Sequence, residues 1–196
     1  MKLGIIGLAN SGKSTVFEAL TQTISSPEKK AENRISTMQV PDDRLAALAN
    51  MFKPQKTILT QVEYFLPGML GHKRDQKIWA QIRDCNALIH VVRNFSGYGF
   101  DEPTPSSDFH ALDQELILAD LVVVENRLER IEQDKQRSRE VDQEELSLLN
   151  QCLQNLEAEV PLRKFPELSS QHALKGFGFA SAKPRTLTLF RRSASR

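Results

Sequence analysis

The chain has 196 residues, of which 26 are basic and 25 acidic, giving a formal net charge of +1 at pH 7. That length suits one domain, alone or with an insertion, and the near-neutral charge argues against a protein that binds DNA or a membrane surface electrostatically. No apolar stretch reaches the roughly 18 residues of a membrane span, and the N-terminus enters a strand rather than a signal peptide.

The two cysteines indicate whether the protein resides in a reducing or an oxidising compartment. Cys85 and Cys152 lie far apart in apolar segments, with no Cys-x-x-Cys spacing and no histidine pairing. This pattern predicts buried free thiols rather than metal ligands. A cytoplasmic location is therefore expected.

The first predicted elements are a strand over residues 2–6, the loop Gly-Leu-Ala-Asn-Ser-Gly-Lys-Ser at 7–14, and a helix from about Gly12 to Thr23. A loop of this kind directs backbone N–H groups and a helix N-terminus toward one point, where a polyphosphate binds. The chain is therefore predicted to bind a purine nucleoside triphosphate.

The predicted nucleotide-binding set comprises Asn10, Ser11, Gly12, Lys13 and Ser14 of this loop and Thr15 directly after it. Lys13 is expected to neutralise the β- and γ-phosphates, and the Ser14 hydroxyl to ligate Mg²⁺. The alternative is a glycine-rich turn carrying a surface lysine, but turn chemistry alone requires neither Lys13 nor Ser14.

The middle of the chain alternates helical and extended patterns. The predicted elements are, in order, a polar mobile loop over 25–34, a helix over about 43–51 behind an N-cap aspartate, a strand over 57–66, a helix over about 74–84 and a strand over 87–92 that is buried on both faces. The last strand contains His90. We interpret His90 as a core or capped histidine, and its alternative role as a base lacks a partner nearby in the sequence.

Two apolar seams follow a Gly- and Pro-rich loop over 96–107. Their members recur every three or four residues and are Ile117, Leu121, Val124, Leu128 and Ile131 in the first seam, and Leu146, Leu149, Leu153, Leu156 and Val160 in the second. Such seams predict an antiparallel helical hairpin, a coiled coil with its hinge near 134–139, whose surface is available to a protein partner. The alternative is two ordinary helices packed flat on the sheet.

The pattern as a whole predicts an α/β protein with a three-layer P-loop NTPase sheet and an inserted helical hairpin. The last strand is expected within 176–179 and 185–190. The predicted organisation is a first part of the NTPase domain at 1–111, the hairpin at 112–161, a return to the NTPase domain at 162–190, and a frayed basic tail at 191–196.

Four segments of the chain resemble the YchF group of Obg-like P-loop NTPases, and the resemblance spans residues 1 to about 184. These segments are Gly4–Phe17, Val40–Leu45, Ile82–Arg93 and Glu115–Leu121. The resemblance implies binding of ATP or GTP with Mg²⁺, slow hydrolysis, a coiled-coil insertion, a C-terminal TGS domain and association with ribosomes. It also implies that the Gly68 N–H contacts the γ-phosphate.

Three positions depart from that family pattern. The Asp-x-x-Gly motif is replaced by residues 65–68, Phe-Leu-Pro-Gly, which lack the carboxylate that would hold Mg²⁺ through water. Ser36 and Thr37 are the hydroxyls nearest to the family's switch threonine, and neither is assigned to the site. The base-reading Asn-x-x-Glu register holds residues 190–193, Phe-Arg-Arg-Ser, so the sequence does not decide between ATP and GTP. A truncated or frame-shifted product is expected, with a natural short paralogue as the alternative.

Two functions remain open. One is a slow GTPase or ATPase switch that acts in translation, with no residue assigned as catalytic. The other is a non-catalytic module that uses the hairpin to bind a partner while the nucleotide stabilises the fold. A small-molecule kinase, the third possibility, would need an arginine-lined lid, and the sequence contains no such cluster.

Overall fold

Five strands form one mixed sheet in the computed structural model, which describes residues 1–23, 32–68, 76–96, 101–169, 171–174 and 176–190. The strands are β1 (Lys2–Ile6), β2 (Arg34–Gln39), β3 (Gln61–Leu66), β4 (Ala87–Arg93) and β5 (Arg185–Phe190), in the spatial order β2-β3-β1-β4-β5. Strand β1 runs parallel to β3 and β4, and β5 runs parallel to β4. Strand β2 is antiparallel to β3.

Six α-helices lie among the described residues. They are α1 (Lys13–Thr21), α2 (Asp43–Phe52), α3 (Gln76–Arg83), α4 (Pro105–Gln136), α5 (Gln143–Glu157) and the single turn α6 (Pro166–Ser169), together with 3₁₀ turns at Leu162–Lys164 and His172–Leu174. Asp42 begins α2, because its side chain accepts a hydrogen bond from the Arg44 N–H at 3.0 Å. The predicted N-cap aspartate is thus confirmed.

Helices pack on both faces of the sheet. Successive strand residues point to opposite faces, so each strand contributes side chains to both packing layers. Ile5 packs on one face in an apolar cluster with Val16 and Phe17 of α1. Ile6 packs on the other face in a cluster that includes Leu116 of α4. The predicted α/β P-loop fold with three layers is confirmed.

The predicted helical hairpin is also confirmed. Ile117, Val124 and Ile131 of α4 are buried in one cluster with residues of α5, among them Leu149 and Leu156. No strand residue of the described chain belongs to that cluster, so α5 packs on α4 rather than flat on the sheet. Helix α4 runs unbroken through residue 112, and the division of the chain into 1–111, 112–161, 162–190 and 191–196 stays a prediction.

A buried carboxylate joins α4 to the segment before β5. Asp120 is fully buried and accepts hydrogen bonds from the N–H groups of Ala180 at 3.0 Å and Ser181 at 2.7 Å. The Nε atom of Arg83 lies 3.6 Å from an Asp120 oxygen. This carboxylate therefore orders the chain that leads into β5.

His90 lines the core, in agreement with the sequence interpretation. Its ring is 1% exposed and stacks on Phe109 with 5.1 Å between the ring centroids. Neither ring nitrogen has a hydrogen-bond partner among the described residues, so the capped form of that interpretation is not observed. Burial first, and then the charge of Arg185, lower the pKa of His90 to about 4, and the opposing charge of Asp113 does not offset them.

Both cysteines are free and buried, as predicted. Burial raises the pKa of both thiols, that of Cys152 to about 11, so both remain protonated at neutral pH.

Several element boundaries differ from the sequence predictions. The largest difference is β2: the sequence predicts a loop that includes residue 34, whereas Arg34 begins a strand, and most of that predicted loop lies outside the described residues. Strand β3 begins at Gln61 rather than at 57, and α4 begins at Pro105 inside the predicted 96–107 loop. Residues 176–177 form a turn and 178–179 are irregular, so no strand is present at 176–179, and the predicted tail lies outside the described residues.

We expect Asp120→Ala to lower the free energy of unfolding by about 3 kcal/mol, because two buried N–H groups and Arg83 lose their common partner. Chemical denaturation measures this change. The matched control is Asp134→Ala on the same helix, whose ion pair with Arg139 is solvent-exposed and whose loss should cost less than about 1 kcal/mol. Equal effects of the two substitutions would contradict the anchoring role of Asp120.

We expect the stability of the wild type to fall as the pH decreases from 7 to 5. His90 binds protons near its usual pKa of 6.5 in the unfolded chain and near 4 in the folded chain, so the unfolded state gains protons first. The loss attributable to His90 is about 2 kcal/mol over this range. His90→Leu should remove this component in denaturation curves at both pH values, whereas the surface control His110→Gln should retain it.

Candidate nucleotide-binding site

The loop between β1 and α1 has the backbone conformation that an anion site requires. Asn10 and Gly12 adopt left-handed conformations, with φ of 60° and 96°. The first intrahelical bond of α1 runs from the Val16 N–H to the Gly12 carbonyl at 3.0 Å, so the amides of residues 13–15 precede the helical ladder. These amides and the positive end of the helix dipole mark the place for a phosphate.

Gly7 allows the loop to lie directly against the end of β4. A β-carbon at residue 7 would lie 2.4 Å from the Val91 carbonyl oxygen and 2.6 Å from Ser11 Oγ. Any side chain at this position would therefore displace the loop from the sheet.

Lys13 folds back over the loop. Its Nζ atom donates a hydrogen bond to the Leu8 carbonyl at 2.6 Å, and burial lowers the pKa of its ammonium group to about 8. Among the described residues, no carboxylate forms an ion pair with Lys13. A half-buried cation that forms no ion pair with a described carboxylate favours an anionic ligand.

Gly68 is brought to the same edge of the sheet. It follows β3, which runs parallel to β1, so both strands deliver their following residues to one edge. The buried Gly68 N–H, predicted to contact a γ-phosphate, here donates to Asn33 Oδ1 at 2.9 Å. The amide of Asn33 also donates to Gln81 Oε1 at 2.9 Å.

Ser14 has a partner that the sequence did not reveal. Its Oγ accepts a hydrogen bond from Arg34 Nη2 at 2.7 Å. Arg34 also lies 3.4 Å from Glu18 Oε1 and 5.2 Å from the centre of the Phe17 ring. A guanidinium group therefore engages the hydroxyl that the sequence predicted as a metal ligand.

The residues present fit a Mg²⁺ ion poorly in this arrangement. The predicted ligand Ser14 Oγ is engaged by a cation, and the position of the family's carboxylate is held by Phe65, a core residue that is 2% exposed. No group of three or more acidic, histidine or cysteine side chains in the described ranges is placed to hold a metal. The role of Ser14 as a Mg²⁺ ligand stays a prediction.

The structure places the predicted loop residues and Gly68 at the same edge of the sheet. The hydroxyls of Ser36 and Thr37 lie farther from that edge. Asn10 and Thr15 are exposed, whereas Ser11 is buried. Ser36 pairs with Tyr64 and Thr37 with Glu63, whereas Arg34 pairs with Leu66 at the end of β3. Both hydroxyls are therefore farther than Arg34 from the sheet edge at which β1 and β3 end. Their offset is about 3.3 Å per residue along the strand.

Asn33 and Arg34 are site residues that the sequence did not reveal. The contacts of Asn33 with Gly68 and of Arg34 with Ser14 depend on the antiparallel pairing of β2 with β3. No short sequence motif predicts that pairing. The segment carries little signal, because its apolar residues Ile35 and Met38 are three positions apart and so lack the period-two alternation of a half-buried strand.

A parallel strand, a glycine-bounded loop with left-handed residues, and a half-buried lysine at a helix N-terminus define the class of P-loop NTPases. The model of the family described as "50S ribosome-binding GTPase" matches residues 2–151. The chain therefore belongs to this family, and its resemblance to the YchF group is confirmed by the relatives below.

The curated relatives are about one third identical to the chain over the regions that align. "Ribosome-binding ATPase YchF" of Haemophilus ducreyi is 33% identical over 199 residues, which cover 93% of this chain and 54% of that protein. The protein of the same name from Bacillus subtilis is 31% identical, covering 92% of this chain and 54% of the relative. The chain thus spans about half the length of these relatives.

A solved structure shows the same fold. The YchF GTPase of Schizosaccharomyces pombe superposes with a TM-score of 0.74 at 24% identity, covering 98% of this chain and 57% of that chain. In the ranges described here, none of the helices combines the length and apolar content needed to cross a bilayer.

Proposed function

We propose that the chain binds a purine nucleoside triphosphate in the loop formed by residues 10–15, with Gly68 beside the γ-phosphate. The observation that carries this proposal is the half-buried Lys13 ammonium group, which donates to the Leu8 carbonyl and forms no ion pair with a carboxylate of the described residues. A phosphate group would supply the missing negative charge, and the amides of α1 would donate to its oxygens. The relatives named ATPase and GTPase support the same ligand class.

We further propose that the nucleotide is hydrolysed slowly, as part of a switch linked to translation. No side chain among the described residues at this edge is assigned as a general base, so catalysis would consist of positioning and charge stabilisation. The names of the relatives associate them with ribosomes, and a ribosome-linked role would place this protein in the cytoplasm. The predicted Mg²⁺ at Ser14 requires that the ion displace the Arg34 guanidinium.

A second candidate is a non-catalytic interaction module. It is favoured by the contacts of Asn33 with Gly68 and of Arg34 with Ser14, since side chains of the protein already engage the groups that hydrolysis requires. In that case the hairpin of α4 and α5 would bind a protein or ribosomal partner. The nucleotide would only stabilise the fold.

We expect Lys13→Ala to weaken ATP and GTP binding by about 100-fold or more, because a desolvated charge contact to the phosphates is lost. Isothermal titration calorimetry measures the affinity of the wild type and the variant. The matched control is Lys135→Ala in the exposed last turn of α4, which should bind like the wild type. Wild-type affinity in Lys13→Ala would refute the assignment of the loop.

We expect phosphate release on the order of 10⁻⁴ to 10⁻³ per second, the range of GTPases without an added arginine finger. Single-turnover assays with ATP and GTP measure this rate, and release should disappear in Lys13→Ala. Thermal shifts with both nucleotides show which base is preferred, since a bound ligand stabilises by mass action. Tight binding without release would instead support the interaction module.

A further inference from the structure

Arg34 lies at the centre of a small set of contacts around the first turn of α1. Its side chain is 12% exposed, with one guanidinium nitrogen on Ser14 Oγ and the other near Glu18. Glu18 follows Ser14 by four residues, so both side chains lie on one face of α1. The Phe17 ring packs under the guanidinium plane at 5.2 Å.

The fold delivers Arg34 to this place through strand pairing. Arg34 opens β2 and pairs with Leu66, the last residue of β3, two positions before Gly68. Because β2 is antiparallel, its first residue lies at the edge of the sheet where β1 and β3 end. The guanidinium group therefore reaches the loop at residues 7–14 from β2, which lies on the other side of β3 from β1.

The chemistry of this group matches that of a phosphate counter-ion. A guanidinium group stays charged at every physiological pH and presents N–H donors in a planar fork suited to phosphate oxygens. Mg²⁺ at a P-loop serine performs the same electrostatic task, but it needs a carboxylate to keep it there. Phe65 takes the position of that carboxylate.

We propose that Arg34 supplies, next to Ser14, the positive charge that Mg²⁺ supplies in other P-loop proteins. The chain then binds the di- or triphosphate of a purine nucleotide without a divalent metal. This inference rests on the proposed nucleotide binding. It assigns Arg34 as a residue that contacts the β- or γ-phosphate.

The test measures ADP, ATP and GTP affinities of the full chain in excess Mg²⁺ and in EDTA. The wild type should lose less than about threefold in EDTA. Arg34→Gln should lose about tenfold or more in EDTA, the value of about one charge-assisted hydrogen bond, and should recover when Mg²⁺ is added. Arg34→Lys, which keeps the charge, should lie between the two.

Arg44→Gln is the matched control. Arg44 lies on α2, its side chain is 88% exposed, and it pairs with Asp42 two residues away. Its removal changes the net charge by the same amount as Arg34→Gln but should leave the affinity in both buffers unchanged. Thermal denaturation of every variant verifies that it is folded.

The outcomes separate the inference from the proposed function. A wild type that loses tenfold or more in EDTA would overturn the inference, as would tighter binding by Arg34→Gln in Mg²⁺, which would show that the guanidinium competes with the ion. Absence of binding in both buffers would overturn the proposed function itself. If Arg34→Gln does not fold, the metal dependence of the wild type and of Arg34→Lys still decides.

Discussion

The close contact between the phosphate loop and the end of β4 is the constraint on which the site depends. Parallel pairing of β1 with β4 sets Ile6 opposite His90, so the chain leaves β1 directly beside Val91. A glycine at residue 7 is required there, since a β-carbon would meet both the Val91 carbonyl and Ser11 Oγ. The absence of a β-carbon at residue 7 also leaves room for the Lys13 side chain to fold over the loop. One backbone contact therefore fixes both the loop and the position of its charge.

Electrostatics then gives the site its preference for an anion. Lys13 is the first residue of α1 and Arg34 contacts the adjacent Ser14, so both cations lie near the helix N-terminus, where the helix dipole is positive. Glu18 offsets part of the charge of Arg34, whereas no carboxylate among the described residues forms an ion pair with Lys13, whose ammonium group donates to the Leu8 carbonyl. Burial lowers the pKa of Lys13 to about 8. An anionic ligand would restore the balance, and for this reason a polyphosphate suits the site better than a neutral molecule.

The parts of this protein that the sequence predicted are those governed by local rules. The loop at residues 7–14 has a fixed spacing of glycine, lysine and serine, and the seams of α4 and α5 repeat often enough to define a hairpin. The contacts of Asn33 and Arg34 were not predictable, because they depend on the pairing of a short polar edge strand with β3. Burial of His90 followed from the apolar run around it, but its lack of hydrogen-bond partners depends on side chains from α4 and β5 that only the fold brings near.

The roles of Phe65 and Arg34 in the site are linked. The Phe65 ring belongs to the apolar cluster of α3 and α4, where a carboxylate would be costly to desolvate. Its presence strengthens the core and removes the anchor that would hold a dissolved cation near Ser14. Arg34 places a cation there through the backbone of β2, so the entropy of ordering that charge is lost during folding rather than during binding. A cation attached in this way is present at every metal concentration, and the affinity of the loop then depends on the fold rather than on the supply of ions.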